Sequence, residues 1–469
     1  MISKNLAKEL LNTALSTGGD FAEIFFEEHY YSNISLEGDK VDSIDDKLIT
    51  GVGIRILKDL RSVYGHTNDV SKKGLLELAS NLSKSFDGKQ TLKVNDLKLQ
   101  RTKKVNKPID SYLNLDKKEV ISTLKKLYKI IHDYDSRIVR VLPIFLSNVQ
   151  DVTIYNSDRK IFKDHREYGR LILEAIANDK GKIETYFDGP GTQKGWSYFK
   201  NEISIEERAL NCAKKVIMML SAKECPSGKF PVIIGNGWGG VIFHEACGHQ
   251  LEATSVAKKI SVFTNSFNTQ IANPIVSAYD DGTISNEWGS NNIDDEGTPT
   301  QKNLLIDHGI LKGYLVDRFN TRRMKGFAAN GCSRRQSYKY EPTSRMSNTY
   351  IAPGDSTPEE IIKNTKLAIY AVGFNGGSVN PATGEFNFGC SEAYLVRDGK
   401  IVMPLRGATL IGKATEILKH IDMVGNDLAL GQGMCGSLSG SVPVNVGQPT
   451  IRLDEIIVGG RGGNIDELK

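Results

Sequence analysis

Apolar residues recur at Leu6, Leu10, Leu11 and Leu15, the spacing of one helix face, and Gly18-Gly19 follows as a C-terminal stop. The stretch FAEIFFEEHYYSNISLE then alternates and carries the β-branched and aromatic residues of a strand. A turn at GDK leads to ITGVGIRILKDLRSVYGHT, which predicts further antiparallel strands, and VSKKGLLELASNLSKSF returns to the helical period. From about Asp87 to Asp116 the chain is polar and Lys/Asn-rich, which predicts an irregular crossing segment. The helix DKKEVISTLKKLYKIIHDY sets its lysines on a wet face. Strand candidates RIVRVLPIFLSNVQ, DVTIYNS and RLILEAIAND follow, then a helix near Ile205 to Ala222. This half predicts an α+β domain with a large, curved antiparallel sheet.

Near Pro226 the pattern changes. KFPVIIGNGWGGVIFHEACGH reads as an apolar strand, a Gly-rich turn and a short helix. Beyond it come short strands separated by glycine turns, as in LLIDHGILKGYLVD and EAYLVRDGKIVMPLRGATLIG, with TPEEIIKNTKLAIYAVG as one capped helix. Of 45 glycines, 13 fall in residues 1–225 and 32 in the remainder. Two domains are expected, 1–225 and 226–469, the second a Gly-rich barrel-like or sandwich-like β domain carrying a short metal-binding helix.

With 25% charged and 39% hydrophobic residues, the 469-residue chain has the composition of an ordinary globular protein. Its formal net charge of +4 is small, and no nucleic-acid motif accompanies it, so direct nucleic-acid binding is not expected. The N-terminus lacks the apolar run of a signal peptide, and no apolar segment is long enough for a bilayer, so a soluble, cytoplasmic protein without membrane contact is expected. Six scattered cysteines (Cys212, Cys225, Cys247, Cys332, Cys390, Cys435) form neither a disulfide framework nor a four-cysteine zinc knot. SRRQ at Ser333 to Gln336 is expected to be a solvated or subunit-facing loop, and GGRGG from Gly459 a turn or tail without the context of a phosphate loop.

The chemistry concentrates in VIFHEACGHQLEA. His-Glu-x-x-His sets two imidazoles on one helix face, but here His244 and His249 are five apart, roughly 140° around a straight α-helix. Both can face one ion only if the helix widens or ends between them, and Gly248 is a residue type that permits a break. A hydrolytic zinc site needs three protein ligands and an open position. Glu252, three residues past His249, and Cys435, in GQGMCGSLSG, are both candidates for the third ligand, whereas Cys247 is expected to point into the core. Arg345 and Tyr340 are candidates for the oxyanion donor that acyl transfer requires.

Together GDFAEIFFEEHYYSNISLEGDKVDSI, GVGIRIL, HEACGHQLEA, EPTSRMSNTYIAPGDSTPEEII, GGSVNPATGEFNFGCSEAYLVRDGKIVMPLRGATLIG and GMCGSLSGSVPVNVGQPTIRLDEIIVGG resemble the TldD/PmbA family, also called modulators of DNA gyrase. The resemblance spans essentially the whole chain, and the HEAxGHxLE box with a late Cys is that of its TldD-like, metal-bearing branch. It implies a Zn2+ peptidase in which His244, His249 and Cys435 bind the metal and Glu245 activates water. It further implies extended or unfolded peptide substrates and a dimer, either with itself or with a ligand-lacking partner. In the family the segment after the Cys more often runs to Gly-Gln, whereas here Gly440 precedes Ser441, a departure in the loop beyond the ligand. The same family contains silent, scaffold-like branches, and its gyrase label suggests a DNA-associated regulator as the alternative.

Overall fold

The computed structural model describes residues 2–380, 382–463, 465 and 468. The first helix, Lys4–Leu15, is capped by the Ser3 hydroxyl and buries Leu10, Leu11 and Leu15, and Gly18 takes a φ of 95° where the chain turns into the sheet. The strand Phe21–Glu37 pairs along its full length with Lys40–Lys58 through a tight turn in which Gly38 has a φ of 67°. Arg61–Thr67 extends this sheet on one side, and Ile138–Asn156 and Lys160–Asp179 extend it on the other. The two segments RIVRVLPIFLSNVQ and DVTIYNS merge into the single 19-residue strand Ile138–Asn156. Pro143 is tolerated there because pairing with Phe21–Glu37 stops at Ile144, leaving no ladder donor to lose on that side.

Helices Lys117–His132 and Ile205–Ser221 cover one face of the sheet. Val120, Leu124, Leu127, Ala209, Cys212 and Val216 meet Ile34, Phe145, Leu171 and Leu173. A second core lies under Lys4–Leu15 and Lys72–Ser83, against Ala22, Ile24, Ile54 and Ile56. The Asp87–Asp116 segment crosses as expected, adding the two-residue strand Lys98–Leu99 beside Lys160–Asp179 and a 3-10 turn at Tyr112–Asn114. The result is the predicted curved antiparallel sheet with helices against it.

In the second half five strands close a ring. Gly228–Ile234 pairs with Ile451–Gly459 and with Leu367–Val379, which corrects the reading of TPEEIIKNTKLAIYAVG as one helix: the capped helix ends at Lys363 and the apolar LAIYAVG is a strand. Ile451–Gly459 pairs with Thr409–Lys413, which pairs with Glu385–Arg397, and that strand returns to Leu367–Val379. Val232, Ile234, Leu395, Leu410, Leu453 and Val458 belong to the large apolar core of this half. A six-stranded sheet stands beside the ring, ordered Ile310–Leu311, Lys302–Asp307, Ala278–Asp281, Asn348–Ile351, Gly440–Gln448, Ala429–Ser437. The fold is therefore α+β with a barrel-like second half, and no helix among the described residues is long and apolar enough to cross a membrane.

Buried ion pairs tie the two halves together. Arg55 binds Glu23 and Glu296, Arg335 binds Glu23 at 2.8 Å, and Arg166 binds Asp164 and Asp295 at 2.7 and 2.8 Å. This corrects the reading of SRRQ as a wet loop: Ser333, Arg334 and Arg335 are buried. A charge count cannot anticipate this, because the partners that hold the two guanidinium groups come from other segments, Glu23 for Arg335 and the Met346 carbonyl for Arg334. GGRGG forms a bend after the last strand with Arg461 and Gly463 exposed, and Gly460 approaches the Cys225 carbonyl oxygen so closely that a Cβ there would lie 2.0 Å from it.

One pair on the sheet gives a pH prediction. His165 lies 2.8 Å from both Asp151 and Glu167, and these hydrogen bonds push its pKa up to about 10. A raised folded-state pKa contributes stability that is complete below about 6.5 and lost as pH climbs through the folded value. Urea midpoints of the native chain should fall between pH 7 and 10, and His165→Gln should flatten that slope; parallel slopes would refute the assignment.

Candidate functional site

The strand Gly228–Ile234 runs into a tight turn, Gly237–Gly240, that lies directly on the six-stranded sheet. A Cβ on Gly240 would sit 2.5 Å from the Gly447 backbone nitrogen, so only glycine allows this approach. The chain then enters a helical turn, Val241–Phe243, which widens into a π-helical turn over His244–Gly248. The His249 N–H donates to the His244 carbonyl, an i to i+5 bond that stacks two residues five apart on one side. This is how the wide His spacing is accommodated.

Gly248 plays a different part from the one its conformational freedom suggested. Its φ of −56° and ψ of −52° are ordinary helical values. What the position requires is space: a Cβ there would lie 2.2 Å from the Met346 sulfur, and Met346 is itself buried under the turn. Gly248→Ala is expected to cost about 1–3 kcal/mol by overpacking and to lower metal retention after dialysis. The double variant Gly248→Ala, Met346→Ala should recover part of both. A single variant with parental metal content would show that the turn tolerates the intrusion.

The third element is the strand Ala429–Ser437, which carries Cys435. Its Sγ lies 3.3 Å from His244 Nε2 and 3.2 Å from His249 Nε2, and the three donor atoms all fall within 4.8 Å of one another. The two rings stand nearly perpendicular, at 83°. Tetrahedral zinc with one thiolate and two imidazoles places sulfur and nitrogen roughly 3.5 Å apart, so the donors fit such an ion with only slight expansion. Burial alone would raise the Cys435 thiol, but the charge and hydrogen bonds of His244 and His249 pull it down to about 3, which leaves a thiolate. His244 and Cys435 are buried, whereas His249 and Glu245 keep 20% and 35% side-chain exposure, so the cluster has one open side.

Glu252 is brought to the other side of His249. Its Oε2 lies 3.2 Å from His249 Nδ1, the nitrogen facing away from the cluster. There it accepts the Nδ1–H and orients the ring so that Nε2 faces Cys435, an arrangement that the His-x-x-Glu spacing permits but does not reveal. The same contact and the thiolate keep His249 well above its ordinary pKa, although burial acts against this. Glu245 places its Oε2 3.7 Å from His249 Nε2, at the rim of the cluster. Cys247 turns toward the Ala414 carbonyl in the core, and burial pushes its thiol up.

Arg345 is not available to an oxyanion. It is fully buried and donates to the Cys435 carbonyl, to Ser439 Oγ at 3.0 Å and to the Gly440 carbonyl at 2.8 Å, with its Nε 3.9 Å from Glu252 Oε1. Its work is to lock the thiolate-bearing hairpin against the segment that carries both imidazoles. Tyr340 is half-buried with its ring edge against Gly440, at the end of that hairpin. Among the described residues no further group of three metal-ligating side chains is clustered in this way.

The chain matches three family models: PmbA/TldA metallopeptidase domain 1 over residues 22–85, the central domain over 110–220 and the C-terminal domain over 227–460. It is 35% identical over 449 residues to the metalloprotease TldD homolog of Buchnera aphidicola from Schizaphis graminum, covering 94% of this chain and 93% of that one. It is 36% identical over 454 residues to the TldD homolog of Haemophilus influenzae, with the same coverage of 94% and 93%. In fold it resembles the crystal structure of a candidate modulator of DNA gyrase from Thermotoga maritima (TM-score 0.79, 22% identity, 97% of this chain and 99% of that one). TldE from Thermococcus kodakarensis is similar in fold as well (TM-score 0.77, 18% identity, 97% and 100%). Three successive domain models and relatives of this identity lead to one conclusion: the chain belongs to the TldD/PmbA metallopeptidase family.

Proposed function

We propose that this chain is a zinc-dependent peptidase acting on unfolded or short extended peptides, with His244, His249 and Cys435 as metal ligands and Glu245 as general base. The observation that carries the reading is the convergence of two imidazoles and a thiolate, from segments 186 and more residues apart, beside a carboxylate on the same helical turn. One sulfur and two nitrogens suit zinc better than a hard cation that prefers oxygen ligands. When bound there, zinc supplies Lewis acidity toward the scissile carbonyl and the attacking water.

The protein's own groups do the rest. Glu252 fixes the tautomer and orientation of His249, and Arg345 fixes the backbone that presents Cys435. Glu245 Oε2 takes a proton from the attacking water and delivers it to the leaving amine nitrogen. Among the described residues Ala429–Ser437 is the last strand of its sheet and pairs only with Gly440–Gln448. The Gln432, Gly433 and Cys435 carbonyls already accept from Arg170, Trp288 and Arg345, so an extended peptide adding to this strand would use the main-chain groups that remain, a mode that reads main chain more than side chain.

The test is metal content by elemental analysis together with cleavage of an unstructured peptide. About one zinc per chain is expected, with cleavage abolished by a chelator and restored by zinc. A zinc-loaded chain that leaves every unstructured peptide intact would overturn the peptidase reading while leaving the metal site standing.

A further inference from the structure

Successive side chains of a strand point to opposite faces, so Met434 points away from the site that Cys435 faces. On the Met434 side lies a cavity of about 140 Å³ between the curved sheet and the Cys435 hairpin, walled by Tyr31, Tyr168, Met434 and its cross-strand partner Pro443. Cationic groups also line it, and most are already matched. Arg166 is paired with Asp164 and Asp295, Arg335 with Glu23, and His29 is held by Glu27 at 2.9 Å and Asn148 at 3.2 Å.

Arg334 is the exception. It is 4% exposed, donates from Nη1 to the Met346 carbonyl at 2.7 Å, and reaches the Asn291 amide oxygen from Nε at 3.2 Å. Among the described residues it forms no ion pair within 4.0 Å. The nearby Asp295 is already engaged by Arg166 Nη1 at 2.8 Å and by the Arg335 backbone N–H at 2.6 Å. A buried guanidinium without a carboxylate is costly, and its unused donors form a fork that fits a carboxylate. Burial holds this guanidinium below its usual range, as do Arg345 and Arg166, although Tyr168 and Asp295 act the other way.

We propose that this cavity binds a peptide carboxylate, with Arg334 as its counter-ion. A single negative charge fits better than a phosphate dianion, because Asp295 shares the lining and the neighbouring arginines are already neutralised. The aromatic and aliphatic walls suit the apolar atoms beside such a group. The carboxylate has two sources, a chain end or an Asp or Glu side chain. Met434 is the strand neighbour of Cys435 but faces the other side of the hairpin, so a peptide anchored at Arg334 would have to round the hairpin to present a bond to the metal cluster. In this the inference builds on the peptidase reading, but its test reads binding alone, and the two can fail separately.

Four fluorescent, unstructured hexapeptides combine a free or amidated C-terminus with an internal Glu or Gln. Their binding to the full-length Glu245→Gln chain is measured by anisotropy. At least about tenfold tighter binding is expected, either for both free acids or for both Glu peptides, and the pattern identifies the source; a tenfold preference is about 1.4 kcal/mol. Arg334→Gln should erase the preference and leave the Gln amide peptide unaffected. If that variant does not fold, competition on the parent chain decides: N-acetylglycine should displace the preferred peptide at concentrations where N-acetylglycinamide does not. Equal binding of all four peptides, binding of none, a preference that survives Arg334→Gln, or equal displacement by acid and amide would each overturn the proposal.

Discussion

Cys435→Ala is expected to abolish both metal retention and peptide cleavage while leaving the chain folded. The thiolate is the only donor contributed by the C-terminal hairpin, and it lies 3.2–3.3 Å from both imidazole nitrogens. Removing an outer-shell partner of a metal site typically costs about 10–100-fold in affinity, so loss of a direct ligand should exceed about 100-fold. The side chain itself is small and has only Val442 and Val444 in its apolar cluster, so truncation should shift the melting temperature little in the metal-free state. Metal titration by competition with a chromophoric chelator checks the first part, and thermal melts of the apo form check the second. Full zinc retention by Cys435→Ala would remove the thiolate from the ligand set and reopen the choice of third donor.

Glu245→Gln should give the opposite separation. The carboxylate stands at the open rim, 3.7 Å from His249 Nε2 and outside the group of three converging donors. Its amide isostere should leave zinc content unchanged and lower kcat by about 10²–10⁴-fold, the usual contribution of a positioned general base. Glu252→Gln makes the informative contrast. It replaces the charged acceptor on His249 Nδ1 with a neutral amide, so it should weaken metal binding about 10–100-fold and depress turnover per bound metal much less. Parental kcat in Glu245→Gln would mean that another group takes the proton, and metal loss in that variant would mean that Glu245 is a ligand.

How much of this could be read in the sequence depends on the range of the interaction. Alternation and capping are local, and Phe21–Glu37, Lys72–Ser83 and Lys117–His132 appear where the pattern puts them. The ring of five strands was legible only as a tendency, because its closure joins Gly228–Ile234 to Ile451–Gly459, segments that share no periodic signal. The same limit applies at the site. The unusual His spacing called for a widened helix, and the π-helical turn provides it. Yet glycine at 248 answers to a methionine nearly a hundred residues downstream rather than to backbone freedom. Residue type marked Glu252 and Arg345 as chemically interesting, but which ring nitrogen a carboxylate faces, or which carbonyls a guanidinium binds, is fixed only by tertiary packing.

The separation of the converging donors along the chain has a consequence for how the protein is made. Both imidazoles leave the ribosome when about half the chain has been synthesised, but the thiol follows 186 residues after His249, and the strand Ile451–Gly459 that completes the ring comes later still. A nascent or prematurely terminated chain therefore carries two histidines and no third donor. On the peptidase reading proposed above, the three donors meet only after the hairpin has docked, so a half-made copy released among other unfinished chains would lack the complete site.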